Sequence, residues 1–254
     1  MLDVGSVFGY NSSGVQLKKW YIIDNIPHLL KVDTWRDEAK KEVYASKLAK
    51  AFGLYCVDYK LVTVKHNGVK KLACLCESFL ESGLDTECTL YDFISAKLDD
   101  VVSFKRGTPA KEIFDFIVDT IDSNTNLGKS LISNYLLMIL TFDFIICNED
   151  RHLNNISLIE RNGEYRFAPL FDNGNSFLGV NSAMPLSEIR TRSRALKPKP
   201  FSSNQKKNLI NIVYCKNLLS SWLRNAGDLR NLGIPMEYIT IVEYRIKELM
   251  RMEA

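Results

Sequence analysis

The stretch Cys147-Asn148-Glu149-Asp150-Arg151-His152-Leu153-Asn154-Asn155 constrains this chain more than any other. An apolar segment, Leu136 to Cys147, runs into it, and a strand-like segment, Ile156 to Glu160, runs out. A turn at Arg161-Asn162-Gly163 leads to a second strand, Glu164 to Leu170, which ends in Phe171-Asp172-Asn173-Gly174. A polar loop and an Asp-x-Gly turn therefore fall at the two open ends of one hairpin. Asp150 and Asn155 are five residues apart, and Asp172 follows Asp150 by 22.

That spacing suits phosphoryl transfer. The reaction needs a carboxylate to orient the attacking hydroxyl and take its proton, and oxygen ligands to hold magnesium on the phosphates. Asp-x-x-x-x-Asn followed by a hairpin and Asp-x-Gly is how protein kinases supply both. Asp150 is then the candidate base, Asn155 a candidate metal ligand and Asp172 the main metal ligand. Magnesium favours carboxylate and amide oxygens and keeps several waters. The bland alternative is a loop whose Asp and Asn residues merely favour turns. The hairpin and the second Asp followed by Gly argue against it.

The 254 residues suffice for one large domain or for two lobes around a cleft. At 46% hydrophobic and 25% charged residues the composition is that of a soluble globule. A net charge of +3 does not call for direct nucleic-acid binding. No uninterrupted apolar run reaches the roughly 18 residues of a membrane span, and Tyr135 to Cys147 holds Asp143, so it reads as a buried helix. The six cysteines lack Cys-x-x-Cys spacing and the N-terminus lacks a signal-peptide pattern, which points to a reduced, cytoplasmic setting.

Ahead of the loop the pattern is β. Ser6 to Tyr10 and Val15 to Ile23 are strand-like around a turn at Asn11-Ser12-Ser13-Gly14, and Ile26 to Val32 is a third strand carrying Lys31. Lys31 is either an edge lysine facing solvent or the sheet lysine that a nucleotide kinase places on the α and β phosphates. A helix capped at Asp33-Thr34 runs to about Phe52, with Val43, Ala45, Leu48, Ala49 and Phe52 on its apolar side. Glu38 or Glu42 on this helix is placed to pair with Lys31. Leu54 to Val64 and Val69 to Leu80 read as strands around Asn67-Gly68, a hairpin signal. Glu81-Ser82-Gly83 follows as a link. From Thr89 onward the pattern is helical, with candidates at Leu90 to Ala96, Pro109 to Ile121, Ser130 to Cys147, Gln205 to Ala226 and Pro235 to Met252. Arg190 to Lys207 holds seven basic residues and no acidic one, and reads as a solvated loop next to the acceptor side.

Taken together, these pieces resemble the HipA-like serine/threonine kinases. Ser13-Gly14-Val15-Gln16-Leu17-Lys18 is similar to that family's phosphate loop, and His28-Leu29-Leu30-Lys31 to its lysine-bearing strand. Lys41-Glu42-Val43-Tyr44 matches the helix with its glutamate, and Leu72 to Phe79 the strand leading to the hinge. Asn148 to Asn155 and Pro169-Leu170-Phe171-Asp172 match the catalytic loop and the metal-binding turn. The resemblance implies an α+β, two-lobed kinase-like fold: a β-rich lobe over residues 1–83 and a mainly helical lobe over 84–254. It implies ATP and magnesium as cofactors and a protein serine or threonine as acceptor. Ser13, Gly14, Val15, Gln16, Lys31, Glu42, Glu77 and Phe79 are the implied nucleotide-binding residues, with Glu42 chosen over Glu38. Ser12 and Ser13 match positions at which family members phosphorylate themselves. An antitoxin is the implied partner, although only a dozen residues precede the phosphate loop where the family's toxins carry a further subdomain, which implies a shortened form. A nucleotide-binding pseudokinase and a lipid or small-molecule kinase are the competing readings.

Overall fold

The computed structural model describes residues 2–3, 17–33, 37–66, 68–81, 83–98, 104–105, 107–179, 182–197, 201–202 and 204–253. The expected strand at 6–10, the turn at 11–14 and the phosphate-loop residues Ser12, Ser13, Gly14, Val15 and Gln16 lie outside them.

Among the described residues five strands form the first sheet: β1 (Leu2–Asp3), β2 (Leu17–Ile23), β3 (Ile26–Val32), β4 (Lys60–His66) and β5 (Val69–Glu77), in the order β1-β4-β5-β3-β2. β2 and β3 pair from Leu17↔Val32 to Ile23↔Ile26 across Asp24 (φ 50°) and Asn25 (φ 64°). Two left-handed residues give a turn whose twist suits the strands it joins. β3 is an interior strand between β5 and β2, so Lys31 is not an edge lysine; it is buried. Side chains alternate across a strand. Leu30 and Val32 pack with Tyr21, Val64 and Ala73 on one face, and Leu29 joins Cys74, Cys76 and Tyr59 on the other.

α1 (Glu38–Ala51) covers that second face through Ala39 and Val43. It begins later than the sequence pattern predicts. Asp37 takes a left-handed φ of 52° without a side-chain cap bond, and Asp33 reaches in to accept from Ala39 N at 2.8 Å. The capping carboxylate is thus the expected one, but Asp37, just ahead of the helix, is not helical. Ala45, Leu48, Ala49 and Phe52 face the other way, into the main core.

A second sheet, β6 (Thr86–Thr89), β7 (Ser157–Arg161) and β8 (Glu164–Phe167), has the order β6-β7-β8. β7 and β8 form the expected hairpin, with Asn162 (φ 53°) and Gly163 (φ 84°) at the turn. Among the described residues six α-helices complete the fold: α2 (Leu90–Leu98), α3 (Ala110–Asp122), α4 (Lys129–Ile146), α5 (Leu186–Ala195), α6 (Ile212–Ala226) and α7 (Met236–Met250). α4 is the central one. It has the length and hydropathy to cross a membrane, but 61% of it is buried inside the protein, as befits a core helix.

Four assignments from sequence change. Residues 54–59 are not strand; they run alongside the later hairpin, with one bridge at Cys56↔Leu170, and β4 starts at Lys60. β6 is a strand of four residues too short to show an apolar rhythm. The basic stretch 190–207 is not simply a loop: α5 continues to Ala195, and Ser193, Leu196, Phe201 and Gln205 are buried. α6 begins only at Ile212, where Asn211 accepts from Tyr214 N at 2.9 Å as its N-cap.

Candidate active site

α4 ends by putting Cys147 in a left-handed conformation, φ 55° and ψ 42°, which swings the chain out of the core. Asn148 follows. Its Nδ2 donates to Asp143 Oδ1 at 2.9 Å and its Oδ1 accepts from Asp150 N at 3.1 Å. Asn155 closes the loop by donating Nδ2 to Asp150 O at 2.8 Å. The oxygen end of the Asn155 amide is then the one left for a cation. The Asp150 carboxylate is 45% exposed and stands beside His152.

Arg151 is the internal brace of this loop. It is 1% exposed and lies against the Asp143 carboxylate, with Nε to Oδ2 at 3.0 Å and Nη2 to Oδ1 at 3.2 Å. Its remaining donors reach Asn155 O (2.8 Å), Phe171 O (2.7 Å) and Asn173 Oδ1 (2.5 Å). One buried guanidinium therefore holds both the loop and the Asp-x-Gly turn, and the buried pair of opposite charges satisfies the donors that burial would otherwise orphan. These contacts suit Arg151 to bracing the loop rather than to acid–base work.

Asp172 sits at that turn with φ 57°. Its Oδ1 accepts from Lys31 Nζ at 2.8 Å, and Lys31 also donates to Glu42 Oε1 at 2.6 Å. Glu42, rather than Glu38, is the partner, and its second oxygen takes Asn173 N at 2.8 Å. Burial works against the charge on Lys31, but Asp172 and Glu42 outweigh it and raise its pKa well above the ordinary value. Burial also opposes the Asp172 charge; Lys31, and then Lys18, overcome that and hold the carboxyl well below the usual range. Glu42 is raised, because its complete burial outweighs the pull of Lys31. Gly174 lets α1 approach closely: a Cβ there would stand 3.2 Å from Glu38 Cβ and 3.5 Å from Glu42 Cγ.

Lys31, Asp150, Asn155 and Asp172 all line one cleft of about 890 Å³, with Glu42 buried behind Lys31. Glu77 and Phe79, at the end of β5, line it as well. The Phe79 ring stacks on Phe171 at 6.0 Å, linking the strand end to the residue before Asp172. Lys18 was not singled out as a site residue, yet it is the cross-strand partner of Lys31 and its Nζ lies 3.8 Å from Asp172 Oδ2. Its position in the quoted phosphate-loop motif was the available signal. Asp143 carried no signal, since a carboxylate inside an apolar helix declares its partner only in three dimensions. Among the described residues no group of three or more His, Cys, Asp or Glu side chains converges on a metal. A cation here would share Asp172 and Asn155 with ligand oxygens, which is how magnesium is usually held.

A sheet with a lysine–glutamate pair, a helical part with a braced loop and a cleft between them define a kinase-like fold. Residues 11–222 match the HipA-like C-terminal domain, and the chain belongs to that family. A solved Helicobacter pylori proinflammatory kinase, CtkA, is similar at TM-score 0.70 and 15% identity, over 95% of this chain and 89% of that one. HipA of Shewanella oneidensis MR-1, solved with HipB and operator DNA, is similar at TM-score 0.51 and 14% identity, over 96% of this chain and 64% of that one. No curated protein matches the sequence.

Proposed function

We propose that this chain is an ATP- and magnesium-dependent kinase that phosphorylates serine or threonine hydroxyls of a protein. The observation that carries the reading is the Lys31 ammonium, held between Glu42 and Asp172 in the cleft that Asp150 also lines. A lysine fixed by a buried glutamate is suited to the α and β phosphates of a nucleotide. The cleft volume falls within the range of small-molecule sites.

In this mechanism residues 1–83 form the nucleotide-covering lobe and 84–254 the catalytic one. Ser13, Gly14, Val15 and Gln16 offer backbone N–H groups to phosphate oxygens, and Glu77 and Phe79 flank the base. Lys31 and Lys18 neutralise phosphate charge. Asp172 and Asn155 would hold magnesium, which would supply charge stabilisation to the transferring group. Asp150 orients the acceptor hydroxyl and takes its proton. Most of the rate then comes from positioning and fixed charge rather than covalent chemistry. Arg151 keeps Asp150 and Asp172 in register by bonding to both segments.

Ser12 and Ser13 are proposed sites of autophosphorylation, by family likeness. The HipA structure contains HipB, which supports an antitoxin-type partner for this chain as well. All six cysteines are free thiols, which supports a reducing compartment such as the cytoplasm.

Intact mass after incubation with magnesium and ATP, beside Asp150→Asn, tests the proposal. A phosphate gained only by the unmutated chain supports it, and peptide mapping then addresses Ser12 and Ser13. Absence of both phosphate transfer, to itself or to a cell extract, and nucleotide binding by calorimetry overturns it.

A further inference from the structure

α4 hands the chain to the Asp150 loop through a residue in an unfavourable conformation. A left-handed non-glycine residue such as Cys147 costs about 1 kcal/mol or more. It persists only where its surroundings hold it.

Gln205, a buried residue far along the chain, adds to the hold on this turn, where Asp143 O already accepts from Asn148 N at 2.9 Å. Its Nε2 donates to Asp143 O at 3.1 Å and to Asn148 O at 3.2 Å. These carbonyls stand on either side of Cys147, so one amide staples the turn. Its Oε1 accepts from Arg245 Nη2 at 2.5 Å. An arginine has no acceptor, so Arg245 fixes which way round the amide sits. Arg245 is itself locked: its guanidinium lies 3.5 Å over the Phe144 ring, Nε donates to Phe144 O at 3.0 Å, and Nη1 meets Glu248 Oε2 at 2.5 Å. Asn148, whose carbonyl Gln205 grips, uses its own side chain on Asp150 N.

We propose that Gln205 is a positioning residue for Asp150, with Arg245 setting the orientation of its amide. The chain of contacts runs from α7 through Arg245, Gln205 and Asn148 to the Asp150 backbone and touches none of Lys31, Glu42 or Asp172. Its catalytic readout rests on the kinase reading above; its structural readout does not.

The test uses the full chain with Gln205→Met, which keeps the length and removes both donors, and with Gln205→Asn, a smaller disturbance should the first fail to fold. Transfer kinetics, nucleotide affinity by calorimetry and hydrogen–deuterium exchange are compared with the unmutated chain. Expected for Gln205→Met is a kcat lower by roughly tenfold to a hundredfold, with ATP KM and affinity within about twofold. Faster exchange is expected in 147–155 and not in 26–51. Gln205→Asn is expected to move the same quantities less. Unchanged kcat and exchange overturn the proposal, and so does a parallel fall in kcat and ATP affinity, which marks general loosening. If the unmutated chain neither transfers phosphate nor binds nucleotide, the kinase reading fails by itself. Exchange then decides: faster exchange confined to 147–155 supports the staple, and no change overturns it.

Discussion

Lys31 Nζ lies 2.6 Å from Glu42 Oε1 and 2.8 Å from Asp172 Oδ1, joining a strand, a helix and a turn through one ammonium. Lys31→Met leaves two carboxylates facing each other with no cation between, and breaking a buried pair from one side costs about 3–5 kcal/mol. The variant is expected to lose stability of that order in urea unfolding and to need much more ATP for any remaining transfer. The deficit should shrink at lower pH, where Glu42, already raised by burial, takes up a proton. An unchanged urea midpoint and ATP requirement would remove Lys31 from the site.

Asp150 and Asp172 are expected to separate in function. Asp150 is part-exposed; its N–H donates to Asn148 Oδ1, and its carbonyl accepts from Asn155 Nδ2 and His152 N. Asp150→Asn should lower kcat by at least about a hundredfold, the scale of losing a general base, and leave nucleotide affinity close to that of the unmutated chain. Asp172→Asn should weaken magnesium-dependent nucleotide binding as well, because that carboxylate is the main candidate metal ligand. Equal loss of affinity in the two variants, measured by calorimetry with and without magnesium, would contradict separate roles.

The parts of this site that were legible in the sequence are those whose chemistry demands particular residues at short spacing: Asp150 with Asn155, and Asp172 ahead of Gly174. Lys31 was ambiguous until strand order placed β3 inside the sheet, because pairing with β5 is set by residues about 45 positions away. Strand β6 was missed since Thr86–Thr89 is short and polar, and its existence depends on pairing with β7. Asp143, Arg151 and Gln205 form a network spanning residues 143 to 205, and nothing local to any of them names the others. The late start of α1 was hidden because Asp33 caps it across a gap, a geometry that residue identity does not encode.

Arg151 is the residue whose removal should disturb loop and turn together. Arg151→Met strands the buried Asp143 carboxylate and frees Asn155 O, Phe171 O and Asn173 Oδ1 at once. A loss of about 3–5 kcal/mol is expected in urea unfolding, along with loss of transfer. Asp143→Asn combined with Arg151→Met should be less damaging than the sum of the two single changes, since the second removes a partner already lost. Strict additivity in that double-mutant cycle would mean that the two side chains do not act as a pair.

Gly174 tests the packing of α1 on the turn. Its φ is not left-handed, so Gly174→Ala meets a steric obstacle and not a backbone one. The new methyl would crowd Glu38 Cβ at 3.2 Å and come into ordinary contact with Glu42 Cγ at 3.5 Å. Overpacking of this kind costs about 1–3 kcal/mol, and here relief of the Glu38 contact is expected to shift α1, and Glu42 with it, relative to the turn. Transfer should therefore fall together with ATP affinity, unlike the pattern for Asp150→Asn. A stable variant with unchanged kinetics would show that the helix yields without moving its glutamate.

The link between β5 and β6 is tied down by Asp85, whose Oδ1 accepts from Arg161 Nε at 2.7 Å and whose Oδ2 accepts from Arg166 Nη2 at 2.7 Å and from Glu81 N at 2.9 Å. The Arg161 bond, the Glu81 N–H and the Arg166 charge bring its pKa down to about 2. A carboxyl depressed on folding stabilises above its ordinary pKa and loses that contribution as pH falls toward the folded value. Asp85→Asn keeps the shape and removes the charge. Its urea midpoint should lie below that of the unmutated chain at pH 7, and the gap should close between about pH 4 and pH 2. A gap that stayed constant down to pH 3 would place the stabilisation in hydrogen-bond geometry alone. Because β7 and β8 carry the two arginines, the same variant should loosen the strand end at Glu77 and Phe79 against the second sheet, which hydrogen–deuterium exchange of residues 78–89 would register as faster exchange at neutral pH.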